Sequence, residues 1–399
     1  MVRHIQRIRT VRPIDAPNLV WVLIEDDQGA VGLGETYYIP GAVESVIHDM
    51  AAPLVLGLDP SNVTDIAQTL FACANFYGYA GAEMRAFSGI DIALWDLVGH
   101  IRGESIATLL GGRSRDRVRA YATCVDIGPH SDQQAWLEDA GSLARELRDQ
   151  GFGAMKVWPW DRFAPQIDGL ASTGPAGWSA MGPVGHDLTP GQLRSGLQVL
   201  EQIADAVGDS MQIMVEGHSR WDLNVALRIC RAIEQFEIGW AEDLIQPTSP
   251  SDLARLVRET RVPQAVSERL ISRHAFRDVF EMGAAQVAMI DVVWTGGITE
   301  ARVIGEMANL HHLPVAPHDC TGPVALAASL QMCAHLQNAA IQEMVRGMVY
   351  GQYREMVEPD FELEDGWFVI PDAPGHGFAL RPECLEPSRA RIRESVLGH

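Results

Sequence analysis

Two rhythms of apolar and polar positions divide the chain. In the first, Ile5, Ile8 and Val11 lead into the run Leu19 to Ile24, the polar turn Asp26 to Gly29, and Val31-Gly-Leu-Gly-Glu35. This predicts a hairpin with its turn at the centre. The spacing becomes helical from Ala42 to Leu54 and from Val63 to Phe71. After a loop rich in glycine and aromatics, Phe76 to Ala82, a long helix is predicted with Ile90, Ala93, Leu94 and Leu97 on one face. Strands followed by helices mark residues 1–118 as an α+β domain.

The second rhythm alternates strand with helix. Apolar runs of strand length fall at Ala120 to Val125, Ala154 to Trp158, Gln212 to Glu216, Gly239 to Glu242, Gln264 to Glu268, Val287 to Asp291, Pro314 to His318 and Ala340 to Glu343. A helical pattern follows each of the first seven, as at Asn224 to Phe236 and Ile298 to Leu310. Eight parallel strands with helical crossovers predict an α/β fold: a (β/α)7β TIM-like barrel over residues 119–350, capped by the N-terminal domain. An open doubly wound sheet shares the alternation, but it rarely ends nearly every strand in a polar residue. Residues 351–399 contain no further unit, and Gly366 to Ile370 with Pro374 to Phe378 predict strands returning to the first domain. Between Pro159 and Pro190 the rhythm breaks for about thirty residues rich in Gly and Pro, longer than a simple connector needs. Its Trp160, Phe163 and Trp178 supply apolar surface for a lid that closes over the barrel mouth; an oligomer contact or plain disorder is the competing reading.

The strand ends carry the candidate chemistry. In Gln212 to Trp221, the run Ile213-Met-Val215 stops at Glu216-Gly-His218, and residues two apart on a strand share a face. The pattern returns at Glu242 and Glu268. Three converging carboxylates repel one another and raise each other's pKa unless a cation sits between them. Oxygen-only ligands favour magnesium over zinc. Around this trio the other strands end in Lys156, Asp291, His318 and Glu343, a ring that a structural barrel does not need.

Charge and cysteines narrow the function classes. With 31 basic against 52 acidic residues, the net charge of -21 argues against nucleic acid or an anionic membrane as partner. The six cysteines contain no CxxC pair, so reduced thiols in a cytoplasmic protein are expected. The 399 residues include no apolar segment approaching a membrane span.

Taken together, these motifs carry a resemblance. The stretches Glu25 to Glu35, Ser88 to Asp96, the three Glu-bearing strands, Asp291 with Thr295 to Glu300, and Ala316 to Ala325 are similar to the enolase superfamily, mandelate racemase subgroup. Within it they most resemble acid-sugar dehydratases of the galactonate dehydratase type. The resemblance implies that Glu216, Glu242 and Glu268 hold Mg2+, although the first ligand is more often Asp. It implies that His318 and Asp291 form a His-Asp dyad, that His218 is a second catalytic histidine, and that Glu343 hydrogen-bonds the substrate carboxylate. Racemases carry two lysines on the second strand; here the pair is Lys156 and Trp158. Cycloisomerases carry a lysine on strand six, where this chain has Asp291.

The expected activity is a magnesium-dependent dehydration of a sugar acid, aldonate or aldarate. The proton next to the carboxylate is removed through a metal-stabilised enediolate, and the β-hydroxyl leaves to give a 2-keto-3-deoxy acid. Lys156 is expected among the catalytic groups, chiefly to stabilise charge, while Trp158 and Tyr37 are expected to contact the sugar; Tyr38, Tyr77 and Tyr79 are weaker candidates for the same pocket. A racemase or epimerase using Lys156 and His318 is the alternative reaction, and a non-catalytic carboxylate-binding barrel the alternative class. The expected partners are a small sugar acid and further copies of the chain.

Overall fold

The computed structural model describes residues 2–76, 78–166 and 182–398. The chain begins in an antiparallel sheet whose four strands lie in the order Ala390–Val396, Ile5–Pro13, Leu19–Asp26 and Val31–Tyr37. The hairpin turn is pinned by Asp26, whose Oδ1 accepts the amides of Gln28 and Ala30 at 2.9 and 2.8 Å.

The long helix, Ala82–Arg102, lies against this sheet. Gly32 and Gly34 permit the close approach, because a Cβ on them would stand 2.0 Å from the carbonyl oxygens of Ala93 and Gly89. The four apolar residues of the predicted helix face are buried with Ile5, Ile8, Val20 and Val22 of the sheet. Each of the Ile, Leu and Val side chains among them contributes about 1.5–3 kcal/mol when fully buried.

The barrel strands are Arg117–Thr123, Ala154–Val157, Gln212–Glu216, Trp240–Glu242, Gln264–Val266, Val287–Ile290, Val315–Pro317 and Gln342–Met344. Neighbours pair in parallel from the first to the seventh, and the eighth pairs with the first. A parallel bridge from Val315 to Ala339 closes the remaining gap. Inside, Tyr121 and Trp240 meet edge to face at 5.3 Å, packed among Ala154, Met214, Ala265 and Ala316. Large side chains opposite small ones fill the interior, so the barrel is a core and not a pore.

The carboxyl-terminal segment serves both parts of the molecule, rather than the cap alone as the sequence pattern suggests. Trp367–Val369 pairs antiparallel with Arg117 to Arg119, where the first barrel strand begins early, and Ala390–Val396 joins the cap sheet beside Ile5–Pro13.

Two buried carboxylates join cap to barrel. Glu35 accepts the amides of Val324 and Ala325, at 3.2 and 3.0 Å, in the first turn of the helix after the seventh strand. Asp91 accepts the Thr299 amide at 3.0 Å and its hydroxyl at 2.5 Å, in the first turn of the helix after the sixth. Helix N-termini present unpaired N–H groups and partial positive charge, which a carboxylate satisfies. Burial raises both acids to about 7 against the pull of these same hydrogen bonds.

After the second strand the chain enters a short turn, Asp161–Phe163. The expected lid falls largely on 167–181, which, with Trp178 and with Tyr77 of the aromatic loop, lies outside the described residues. Trp160 does not belong to a docking surface. It is 1% exposed, its Nε1 donates to the Leu193 carbonyl, and its ring fills the space that a side chain at Gly196 would need.

Candidate active site

Short parallel strands that all run the same way deliver their last side chains to one mouth. Glu216 and Glu242 lie directly opposite each other on adjacent strands. Lys156, two strands around from Glu242, reaches to the centre, with Nζ 3.0 Å from Glu216, 2.7 Å from Glu242 and 2.7 Å from Glu343. Burial works against its charge, but the three carboxylates outweigh burial and hold its pKa well above the usual lysine range. The three carboxylates thus favour the ammonium form of Lys156.

Glu268, just past the fifth strand, turns instead to Arg269, whose Nε stands 3.0 Å from Oε1. Its Oε2 is buried with no hydrogen-bond partner among the described residues. Burial pushes Glu242 up to about 8; Lys156 pulls against this, and Glu216, Glu343 and Glu268 add to it. Crowded oxygen donors, one of them unspent, suit a hard divalent cation by chemistry. Among the described residues, the one set of ligand atoms all within 4.8 Å of one another is His318, Cys320 and Glu343, because Glu216 and Glu242 face Lys156 while Glu268 faces Arg269.

Two imidazoles flank this cluster, each with a carboxylate on Nδ1. His318 pairs with Asp291 at 2.7 Å, and its Nε2 is 3.9 Å from Glu343. His218 pairs with Asp161 at 2.5 Å, and its Nε2 is 3.1 Å from Glu216. Burial disfavours the charged form of both rings, yet Glu343 and Asp291 outweigh it at His318, and Glu216 and Asp161 at His218, so both pKa values rise. Glu343 accepts the Thr123 hydroxyl and the Asp319 amide, so its orientation is fixed from both sides.

Lys156, Glu216, Glu242, Glu343, His218 and the His318–Asp291 pair thus lie at one mouth, while Glu268 is turned to Arg269. Trp158 stands edge-on to the His218 ring at 5.4 Å and packs on Trp136, so it braces the imidazole. Tyr37 is turned inward and 2% exposed; Tyr38, at φ 71, lines the cavity instead. Asp161, Arg269 and Arg85 escape sequence reasoning. The one signal for Arg269 is its place directly after a candidate ligand; Asp161 sits in an aperiodic turn and Arg85 on a helix where arginine is commonplace.

Residues 7–111 match the mandelate racemase / muconate lactonizing enzyme N-terminal domain, and residues 139–384 match the enolase C-terminal domain-like family. The chain is 32% identical over 382 residues to a D-galactonate dehydratase of Ralstonia nicotianae, covering 94% of this chain and 92% of that one. Among solved structures, an enolase of the mandelate racemase subgroup from Agrobacterium tumefaciens is 39% identical, with a TM-score of 0.87 over 98% of this chain and 99% of that chain. An enolase protein from Sargasso Sea environmental sequencing is 36% identical, with a TM-score of 0.88 over 99% of both chains.

Proposed function

The chain belongs to the enolase superfamily, in the mandelate racemase and muconate lactonizing enzyme family, and on that premise we propose that it is a magnesium-dependent sugar-acid dehydratase. The observation that carries this reading is the pair of imidazoles, His318 and His218, each backed by its own carboxylate on opposite flanks of the glutamate cluster. Elimination of water needs one group to take the α-proton and another to protonate the departing hydroxyl, and two such groups are what a dehydratase requires.

In this reading Glu216, Glu242 and Glu268 hold the ion. A bound divalent cation would supply positive charge that polarises the substrate carboxylate and draws the His318 pKa back down. His318 then takes the α-proton on Nε2, while Asp291 keeps the ring oriented through Nδ1. Lys156 offsets the negative charge developing on the carboxylate oxygens. His218, whose ring Asp161 and Glu216 bias toward the charged form, donates its proton to the β-hydroxyl as the C–O bond breaks, leaving an enol that ketonises to the 2-keto-3-deoxy acid. A racemase would need a second base opposite His318. Lys156, clamped by three carboxylates, is unsuited to that task.

Incubating a panel of aldonic and aldaric acids with the magnesium-loaded protein, and assaying for 2-keto acid, tests the proposal. Formation of a C2 epimer with no 2-keto acid would overturn it.

A further inference from the structure

Between the barrel mouth and the cap lies a cavity of about 260 Å³, bounded at the barrel end by Glu268 and His318 and at the cap end by Tyr38 and Arg85. Arg85 enters from the first turns of the helix Ala82–Arg102. Its guanidinium lies over the Trp294 ring, 4.4 Å from the centroid, with the Tyr38 centroid at 5.6 Å. Nη1 donates to the Tyr37 carbonyl at 3.0 Å. Among the described residues it forms no ion pair, so four of its five N–H donors are uncommitted. Arg269, the other cation on this cavity, is already engaged by Glu268 at 3.0 Å and Asp243 at 3.7 Å.

Two further donors on the same wall are unspent. Trp294 Nε1 and Thr321 Oγ1 are buried without a hydrogen-bond partner among the described residues, and the two residues are 8% and 6% exposed. A cavity that offers a guanidinium fork at one end and neutral donors along its side suits a polyhydroxylated chain that ends in an anion. The aromatic faces hold the guanidinium plane in place, and a planar fork matches a carboxylate through two parallel hydrogen bonds.

We propose that Arg85 binds a second carboxylate at the end of the substrate remote from the barrel glutamates, so that the substrate is a sugar diacid, an aldarate, and not an aldonate. This rests on the dehydratase reading above. In that reading one carboxylate meets the catalytic ring, the intervening hydroxyls meet Trp294 and Thr321, and the far carboxylate closes on Arg85. A monoacid ending in CH2OH would strip water from the guanidinium and leave it only the more distant charge of Asp291, which His318 already engages. That deficit corresponds to about a hundredfold in specificity.

Steady-state kinetics on six-carbon aldarates, the matching aldonates and their 6-phosphates provide the test. The best aldarate should exceed its aldonate in kcat/KM by about a hundredfold. Arg85→Gln should abolish that preference mainly through KM, and Arg85→Lys, which keeps the charge but not the fork, should recover part of it. An aldonate processed as well as the aldarate by the unmodified enzyme overturns the proposal whether or not the variants fold. Preference for a phosphorylated aldonate, or a preference that survives Arg85→Gln, overturns it too. If aldonates give 2-keto acid without regard to Arg85, only the diacid inference fails. If aldarates bind with an Arg85-dependent Kd yet are merely epimerised, the diacid inference stands and the dehydratase reading fails.

Discussion

His318 and Asp291 sit at the ends of neighbouring strands with Nδ1 and Oδ2 2.7 Å apart, buried from water, which leaves Nε2 as the nitrogen available to a substrate. His318→Asn should therefore stop exchange of the substrate α-proton with solvent deuterium, followed by NMR. Asp291→Asn, which keeps a hydrogen bond but loses the charge, should lower kcat by about 10²–10⁴-fold. Exchange at the normal rate in His318→Asn would remove this residue from the role of base.

The glutamate cluster makes a prediction about metal. EDTA should abolish turnover and magnesium restore it, and Glu242→Gln should weaken magnesium binding in calorimetry while circular dichroism stays that of the folded protein. The fold should survive because the site decorates the barrel mouth, whereas closure depends on strand pairing and on the Tyr121 and Trp240 core. Full activity in metal-free protein would contradict the assignment of these ligands.

Asp161 meets His218, whose Nδ1 it holds at 2.5 Å. Asp161→Asn and His218→Asn should both suppress loss of the β-hydroxyl more than α-proton exchange, so the ratio of exchange to product rises. Equal suppression of both steps would make Asp161 a general structural contact instead.

Cap docking can be probed at Asp91. Removing it in Asp91→Ala leaves the Thr299 amide unpaired in a buried interface, which costs about 2–3 kcal/mol in urea denaturation. Adding Thr299→Ala should recover little, since the amide remains. A loss below about 0.5 kcal/mol would show that water replaces the carboxylate.

His48 predicts a pH effect on stability. Its ring bridges Thr10 at 2.9 Å and Ser395 at 2.8 Å, and burial, aided by Arg393, lowers its pKa from 6.5 to about 4. Between these values the unfolded chain binds more protons at this site than the folded one, so stability rises with pH. The His48 contribution is complete above about 6.5 and is lost as pH falls toward 4. The difference in unfolding free energy between the unmodified protein and His48→Gln should follow that window; a difference flat from pH 4 to 7 would refute it.

Much of the fold and half of the site can be read along the chain because barrel architecture is periodic. An apolar run that stops at Glu216, Glu242 or Glu268 repeats often enough to be recognised, and His318 and Asp291 end strands in the same way. What periodicity cannot reveal is pairing across long separations. Asp161 meets His218 through a turn with no repeat, and Glu35 and Asp91, each unremarkable in its own element, find their partners more than two hundred residues away. Arg85 has the composition of any solvent-facing helix residue, and only the placement of the cap over the mouth gives it a role. Tyr37 and Tyr38 differ by one step along a strand end, so the choice between them turned on a backbone angle absent from the sequence pattern.

The pairing of Ala390–Val396 with Ile5–Pro13 has a consequence for biosynthesis. A ribosome adds roughly 5–20 residues per second, so the strand made first waits on the order of tens of seconds for its outer neighbour. Throughout that interval its hydrogen-bonding edge is open, a template onto which another nascent chain can add. Arg7, Arg9 and Arg12 stand partly exposed along that strand while Ile5, Ile8 and Val11 are buried. Identical copies of this strand would set arginine against arginine, and like charges facing each other across a strand pair are destabilising, so the exposed edge disfavours its own addition.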